Sequence, residues 1–170
     1  MTNNWPVPIV SIIGWHNSGK TTVAAALVQI WRARGLRVAA VKHSREDVEL
    51  DRPGTDTFVL AEAGADVVVI SSRGRLAFLE RPAREASLRE IIARLPAGID
   101  IVVAEGYKGE DTPKVEVVRS GNGEGRISAP GELLAIVSQQ PIPAGAVPVY
   151  AFEQCDALAT YLLAKLFPPA

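Results

Sequence analysis

Apolar residues along this chain fall into short runs separated by glycine, proline and charge, and the runs follow two periods. Residues 7 to 13, ending Ile9-Val10-Ser11-Ile12-Ile13, are nearly continuous and predict a buried strand. Good helix formers follow from Thr22 through Trp31 with apolar positions at helical spacing, which predicts a helix over residues 19 to 34. Gly35, just past Arg32-Ala33-Arg34, is its stop. Leu36 to Val41 predicts a second strand, rich in Val and Ala and apolar on both faces, as in a sheet covered by helices on both sides. A helix is expected over about Thr55 to Ala63, ended by Gly64. Val67 to Ile70 and Arg75 to Leu79, joined at Arg73-Gly74, predict a hairpin that brings one antiparallel strand into the sheet.

Ser87 and Glu90 form a capping-box pattern opening a helix that runs to about Leu95, where Pro96-Ala97-Gly98 stops it. Asp100 to Ala104, Lys114 to Val118, Leu133 to Val137 and Val147 to Tyr150 predict four more strands. Residues 120 to 131, with four glycines and a proline, read as a surface loop, and Asp156 to Phe167 as a closing helix. Strands alternating with helices predict an α/β fold: a three-layer, mostly parallel sheet with helices on both faces, in a single domain over residues 1 to 170.

Composition narrows the function. The chain has 48% hydrophobic and 22% charged residues, with a net charge of −1. That balance offers no basic footprint for nucleic acid or an anionic membrane. The single cysteine, Cys155, excludes an intrachain disulfide and a multi-cysteine zinc site, and reads as packing. No apolar run approaches the ~20 residues of a membrane span, and the N-terminus lacks a signal-peptide pattern, so a cytoplasmic protein is expected.

The chemistry concentrates at Gly14-Trp15-His16-Asn17-Ser18-Gly19-Lys20-Thr21, the G-x-x-x-x-G-K-[ST] pattern between a strand and a helix. Gly14 permits the turn out of the strand, and Gly19 lets backbone amides close around a phosphate. The helix dipole adds its positive end. Lys20 is placed to reach the β- and γ-phosphates, and the Thr21 hydroxyl to hold Mg2+. Trp15 and His16 occupy positions where the pattern tolerates any side chain.

Glu105 ends an apolar strand beside Gly106, where a P-loop protein carries an acid that binds Mg2+ directly or through water; the alternative is a solvated strand-end carboxylate. Lys42 and His43 leave the second strand on the same sheet edge, as candidates for phosphate or a second substrate or as surface groups. Asp47, Asp51 and Asp56 follow. A carboxylate there completes a metal shell or orients water; equally, Asp51 is a turn residue before Pro53-Gly54 and Asp56 a first-turn helix acid. Asp100 begins the Glu105 strand and lies at the opposite sheet end. Lys108, Arg73 and Arg75 read as surface charges.

The P-loop, Lys42-His43, the Asp47 loop, Asp51-x-Pro53-Gly54-x-Asp56-Thr57 and Glu105-Gly106-Tyr107-Lys108 fall in one order. Together they resemble the molybdopterin-guanine dinucleotide biosynthesis protein B family, from about Val7 to Leu163. The resemblance implies a GTP-binding protein with weak Mg2+-dependent GTPase activity in molybdenum cofactor biosynthesis. It implies a homodimer that partners the guanylyltransferase joining GMP to molybdopterin, with molybdopterin itself a candidate contact. By the same resemblance, Gly14 to Thr22 hold the phosphates and Thr21 and Glu105 serve Mg2+. Lys42, His43, Asp47, Asp51 and Asp56 would line the site beside them. Arg45 and Glu46 stand where some members carry further histidines, and Gln139 where many GTP-binding relatives place an aspartate against guanine.

A second reading is a P-loop kinase or ligase of the dethiobiotin synthetase type, which uses ATP and also carries a strand-end glutamate before a glycine. A third is an adaptor whose P-loop is filled but whose hydrolysis does not matter.

Overall fold

The computed structural model describes residues 5–44, 48, 51–119, 127–128, 131, 133–143 and 145–167. It divides into two compact units, Met1–His43 with Leu88–Ala170, and Ser44–Ser87. The first unit holds strands β1 (Ile9–Ile13), β2 (Val38–Lys42), β5 (Ile101–Glu105), β6 (Lys114–Val118), β7 (Leu133–Ser138) and β8 (Val149–Tyr150). Its helices are α1 (Lys20–Ala33), α3 (Leu88–Ala93) and α4 (Cys155–Leu166). The strands form one sheet in the order β2-β5-β1-β6-β7-β8, and every neighbouring pair is parallel.

Period-2 alternation along β1 explains the layers. Val10 and Ile12 point into a core shared with Val23, Leu27 and Trp31 of α1 and Leu158 and Leu162 of α4. Ile9 points the other way, into a cluster with Leu88 and Ile92 of α3. Trp31 is fully buried and its indole N–H donates to the Ala159 carbonyl at 3.3 Å, tying α1 to α4. Ser11, on the α3 face, is also fully buried and exchanges a 2.6 Å hydrogen bond with Thr112 Oγ1, which satisfies both hydroxyls. The α/β, three-layer expectation therefore holds.

Two local expectations fail. β2 is not apolar-buried on both faces: it is the edge strand beside β5, and its residues are half-buried or exposed. Small Val and Ala side chains suit an interior strand and an edge strand alike, so composition does not separate them. The hairpin fails differently. In the second unit, β3 (Val67–Ser71) and β4 (Leu76–Glu80) pair antiparallel, Val69 opposite Phe78, with Ser72 N–H donating to Arg75 O at 2.8 Å across the turn. They make a two-stranded sheet of their own and put no strand into the parallel sheet. Hairpin pairing is local, whereas a third-strand neighbour is not, which is why only the pairing is readable in sequence.

The second unit also contains α2 (Asp56–Glu62), capped by Thr55, whose Oγ1 accepts from Phe58 N–H. Val68 is the hairpin's buried residue, while Val67, Val69, Leu76 and Phe78 share the opposite face and are exposed. Among the described residues, no helix is long and apolar enough to cross a membrane.

Candidate functional site

Residues 14–19 carry the chain from the carboxyl end of β1 into α1. Gly14 has φ 151°, and a Cβ there would overlap the Val117 carbonyl oxygen and stand 2.6 Å from Ser18 Oγ. Gly19 has φ 97°, and a Cβ there would stand 2.8 Å from Cε1 of Phe152. Both glycines are thus required twice over, by backbone conformation and by close approach. Asn17, at φ 57°, takes the left-handed region that asparagine tolerates best among non-glycine residues. Ser18 N–H donates to Trp15 O at 3.2 Å, which closes the loop on itself.

The helix that follows is left open for an anion. α1 has no side-chain N-cap and no acidic residue in its first turn. Its leading amides and the positive end of its dipole therefore lack the acceptor that a capped helix supplies for itself. Ser18 is 1% exposed, and its Oγ has no hydrogen-bond partner among the described residues. A phosphate group meets both needs. Lys20 Nζ donates to Trp15 O at 2.7 Å, across the loop. Burial pushes its ammonium below the ordinary lysine value; the Glu105 charge opposes that shift and the Lys42 charge adds to it.

Glu105 gathers the rest. It ends β5 beside β1, in register with Ile12, and with Lys42 at the end of β2 on its other side. Thr21 Oγ1 donates to Glu105 Oε2 at 2.8 Å, and Lys42 Nζ lies 3.1 Å from Oε1. The Glu105 side chain is only 12% exposed, against 63% for Lys42. Three elements distant in sequence thus place a hydroxyl, a carboxylate and an ammonium in contact. Among the described residues no group of three His, Cys, Asp or Glu side chains could hold a metal by itself. Thr21 and Glu105 suit Mg2+, which takes few protein oxygens and fills its octahedron with phosphate and water.

His43 follows Lys42, its N–H donating to Glu105 O at 3.0 Å and its ring 5.3 Å from that of Tyr107. Gly106 has φ 94°, and a Cβ there would stand 3.1 Å from His43 Cβ. Tyr107, at φ 54°, is a bulky residue in the left-handed region, a conformation that costs on the order of 1 kcal/mol and recurs at functional sites.

The structure therefore brings Gly14, Ser18, Gly19, Lys20, Thr21, Lys42, His43 and Glu105 to one sheet edge. Trp15, His16, Asn17 and Thr22 are exposed along the same segment. Asp47 lies outside the described residues. Asp51 and Asp56 belong to the second unit. The Thr57 and Thr55 hydroxyls, with the Arg52 amide, hold the Asp51 carboxyl below the usual carboxylate range, and Thr55 Oγ1 donates to it at 2.7 Å. Asp56 is the exposed first residue of α2. The turn and helix-terminus roles of these two acids are both visible. Asp100 accepts from Arg37 N–H at 2.7 Å before β5 begins, at the sheet end away from Glu105. Cys155 opens α4, its thiol pushed up by burial and by the Asp156 and Glu153 charges.

Phe152 and Arg119 were not singled out from the sequence; both follow the carboxyl ends of parallel strands, β8 and β6, and so stand on the same sheet edge as Lys42 and Glu105.

Comparison with known proteins gives the family. The model of the family described as MobB, Molybdopterin guanine dinucleotide synthesis protein B, matches residues 9–139. That span opens on the first residue of β1 and closes just past β7. The molybdopterin-guanine dinucleotide biosynthesis adapter protein of Escherichia coli K12 is 32% identical over 126 residues, 72% of each chain. The protein of that name from Haemophilus influenzae is 32% identical over 113 residues, 66% of this chain and 64% of its own length. A crystal structure described as molybdopterin-guanine biosynthesis protein B is similar with TM-score 0.71 at 30% identity, covering 93% of this chain and 98% of that one. Bacillus subtilis MobB, at 22% identity and TM-score 0.73, is a likeness of fold. With its glycine-bracketed loop, its strand-end glutamate and five of the six parallel strands inside the matched span, the chain belongs to the molybdopterin guanine dinucleotide synthesis protein B family.

Proposed function

We propose that this chain is a GTP-binding accessory protein of molybdopterin guanine dinucleotide formation, acting in the cytoplasm with the guanylyltransferase and hydrolysing GTP slowly with Mg2+. One observation carries the reading: Thr21, Glu105 and Lys42 meet beside an uncapped helix N-terminus and a glycine-bracketed loop. The loop amides and Lys20 would hold the β- and γ-phosphates. Thr21 and Glu105 would hold the ion, which when bound neutralises charge on the phosphoryl oxygens. The partner is proposed because relatives carry the word adapter in their names.

A thermal-shift comparison tests the nucleotide. With Mg2+, GTP at ~100 times its Kd adds about 2.7 kcal/mol, and the melting temperature rises by several degrees. ATP should do less. A larger shift with ATP, together with turnover that needs a second small substrate, would instead make the chain a kinase or ligase.

We extend the proposal to a homodimer. A two-stranded hairpin is marginal by itself, and its apolar face carries Val67, Val69, Leu76 and Phe78 at 45%, 49%, 62% and 66% exposure. A second copy offers the same face, as an isologous interface requires. Light scattering should show a dimer that Phe78→Asp converts to monomer. A wild-type monomer at micromolar concentration ends that part of the proposal.

A further inference from the structure

Arg119 directly follows β6, and Phe152 lies two residues beyond β8. The sheet is parallel, so both strands end on the edge that carries the loop. The end of β6 touches the loop's first glycine through Val117 O, and the Phe152 ring lies edge-on against its last, Gly19. Phe152 is fixed in place: Ala151 N–H donates to Gln154 Oε1 at 2.8 Å, and Cys155 Sγ to Phe152 O at 3.1 Å. The guanidinium carbon of Arg119 lies over this ring, 5.7 Å from its centre, while the Arg119 side chain remains exposed. A planar cation thus stands within cation–π range of an aromatic ring that itself abuts the phosphate loop, with solvent around it.

Sheet order gives the direction in which a ligand would run. Glu105 and Lys42 stand on β5 and β2, on one side of β1, whereas β6, β7 and β8 lie on the other. A nucleoside triphosphate whose terminal phosphate reaches Thr21 and Glu105 must leave the loop toward β6 to β8, where Arg119 and Phe152 stand.

We propose that the Arg119 guanidinium stacks on the base of the bound nucleotide, with Phe152 as the surface that holds it flat. The proposal rests on the nucleotide-binding reading above. Guanidinium is planar and weakly hydrated, so it packs face-on against aromatic rings where an ammonium does not. Stacking uses the π-face that every base presents, so Arg119 contributes affinity without choosing between guanine and adenine.

Calorimetric titration with Mg2+ tests this, using GTP, ATP and inorganic tripolyphosphate against the wild-type chain, Arg119→Ala and Arg119→Lys. Arg119→Ala is expected to weaken GTP and ATP alike, by about tenfold, with tripolyphosphate unchanged. Arg119→Lys should recover little of the loss, because it restores charge without the plane. Because Arg119 is exposed, the variants keep the wild-type melting temperature. An equal loss for tripolyphosphate, restored by lysine, would make Arg119 a phosphate contact and overturn the proposal; so would unchanged nucleotide affinity. Wild-type binding of both nucleotides with unchanged affinity in Arg119→Ala overturns the base site alone, whereas a wild-type chain that takes up tripolyphosphate but neither nucleotide overturns the GTP-binding reading with it. One that takes up none of the three overturns nucleotide binding as well.

Discussion

Lys20→Ala is expected to weaken GTP and tripolyphosphate binding by about 100-fold or more while leaving the melting temperature close to wild type. The binding loss follows from removing the one ammonium held at the loop, where burial makes its field stronger than at an open surface. Stability changes little because two effects oppose. The hydrogen bond to Trp15 O is lost, worth about 1 kcal/mol. A cation that burial disfavours is removed with it. The same lowered pKa sets a pH dependence. Anion binding needs the ammonium, so above the pKa of the unliganded protein each binding event must take up a proton. Tripolyphosphate affinity should therefore begin to fall at a pH below the ordinary lysine value of 10.5 and then drop about tenfold per pH unit. Titration calorimetry from pH 7 to 10 measures it. GTP affinity unchanged in Lys20→Ala would sink the nucleotide-binding reading.

Gly14→Ala should have the largest effect on stability, about 3–5 kcal/mol by urea denaturation. The added methyl would overlap the Val117 carbonyl, a backbone atom of β6 beside the central strand, and would crowd Ser18 Oγ. The hydroxyl can rotate, but the carbonyl cannot yield without disturbing the β1–β6 ladder. The residue would also hold φ 151°, which side-chain-bearing residues avoid. Gly74→Ala, where nothing lies within 4 Å of the new methyl, is the control and should change stability by less than about 0.5 kcal/mol. A Gly14→Ala variant as stable as the control would show that β6 does not pack on the loop as described.

These expectations differ in how far they were readable beforehand. The need for glycine at 14 and 19 is legible from spacing, because a strand, a six-residue loop and a helix can close around phosphate in few ways. What Gly14 touches is not legible: Val117 lies about a hundred residues away, and the contact exists only because β6 is the neighbour of β1. Glu105 is legible as a strand-end acid, yet its partners are not. It meets Lys42 because β5 is inserted between β2 and β1, an order that helix packing on both faces decides.

Burial in β6 makes the same point. Lys114 and Glu116 look like solvent-facing positions of an alternating strand, but they are 3% and 1% exposed. Lys114 Nζ donates to Glu110 O at 2.8 Å, and Glu116 Oε1 accepts from Ile127 N–H at 2.6 Å. Backbone groups from flanking loops meet each charge with one hydrogen bond, while Glu116 Oε2 is buried without a partner among the described residues; loop placement is a tertiary property.

By itself the sequence determined what local forces decide. These are the strand–loop–helix unit with its two obligatory glycines, the periods that separate strands from helices, the hairpin pairing, and the residue types at the ends of β2 and β5. Tertiary structure alone decided which of those ends meet, that the hairpin stays out of the parallel sheet, and that Phe152 approaches the loop from beyond β8 with Arg119 over its ring. The physical reason is range. Backbone sterics and side-chain period act over a few residues, whereas strand order is chosen by burying apolar surface between elements that the chain itself does not order.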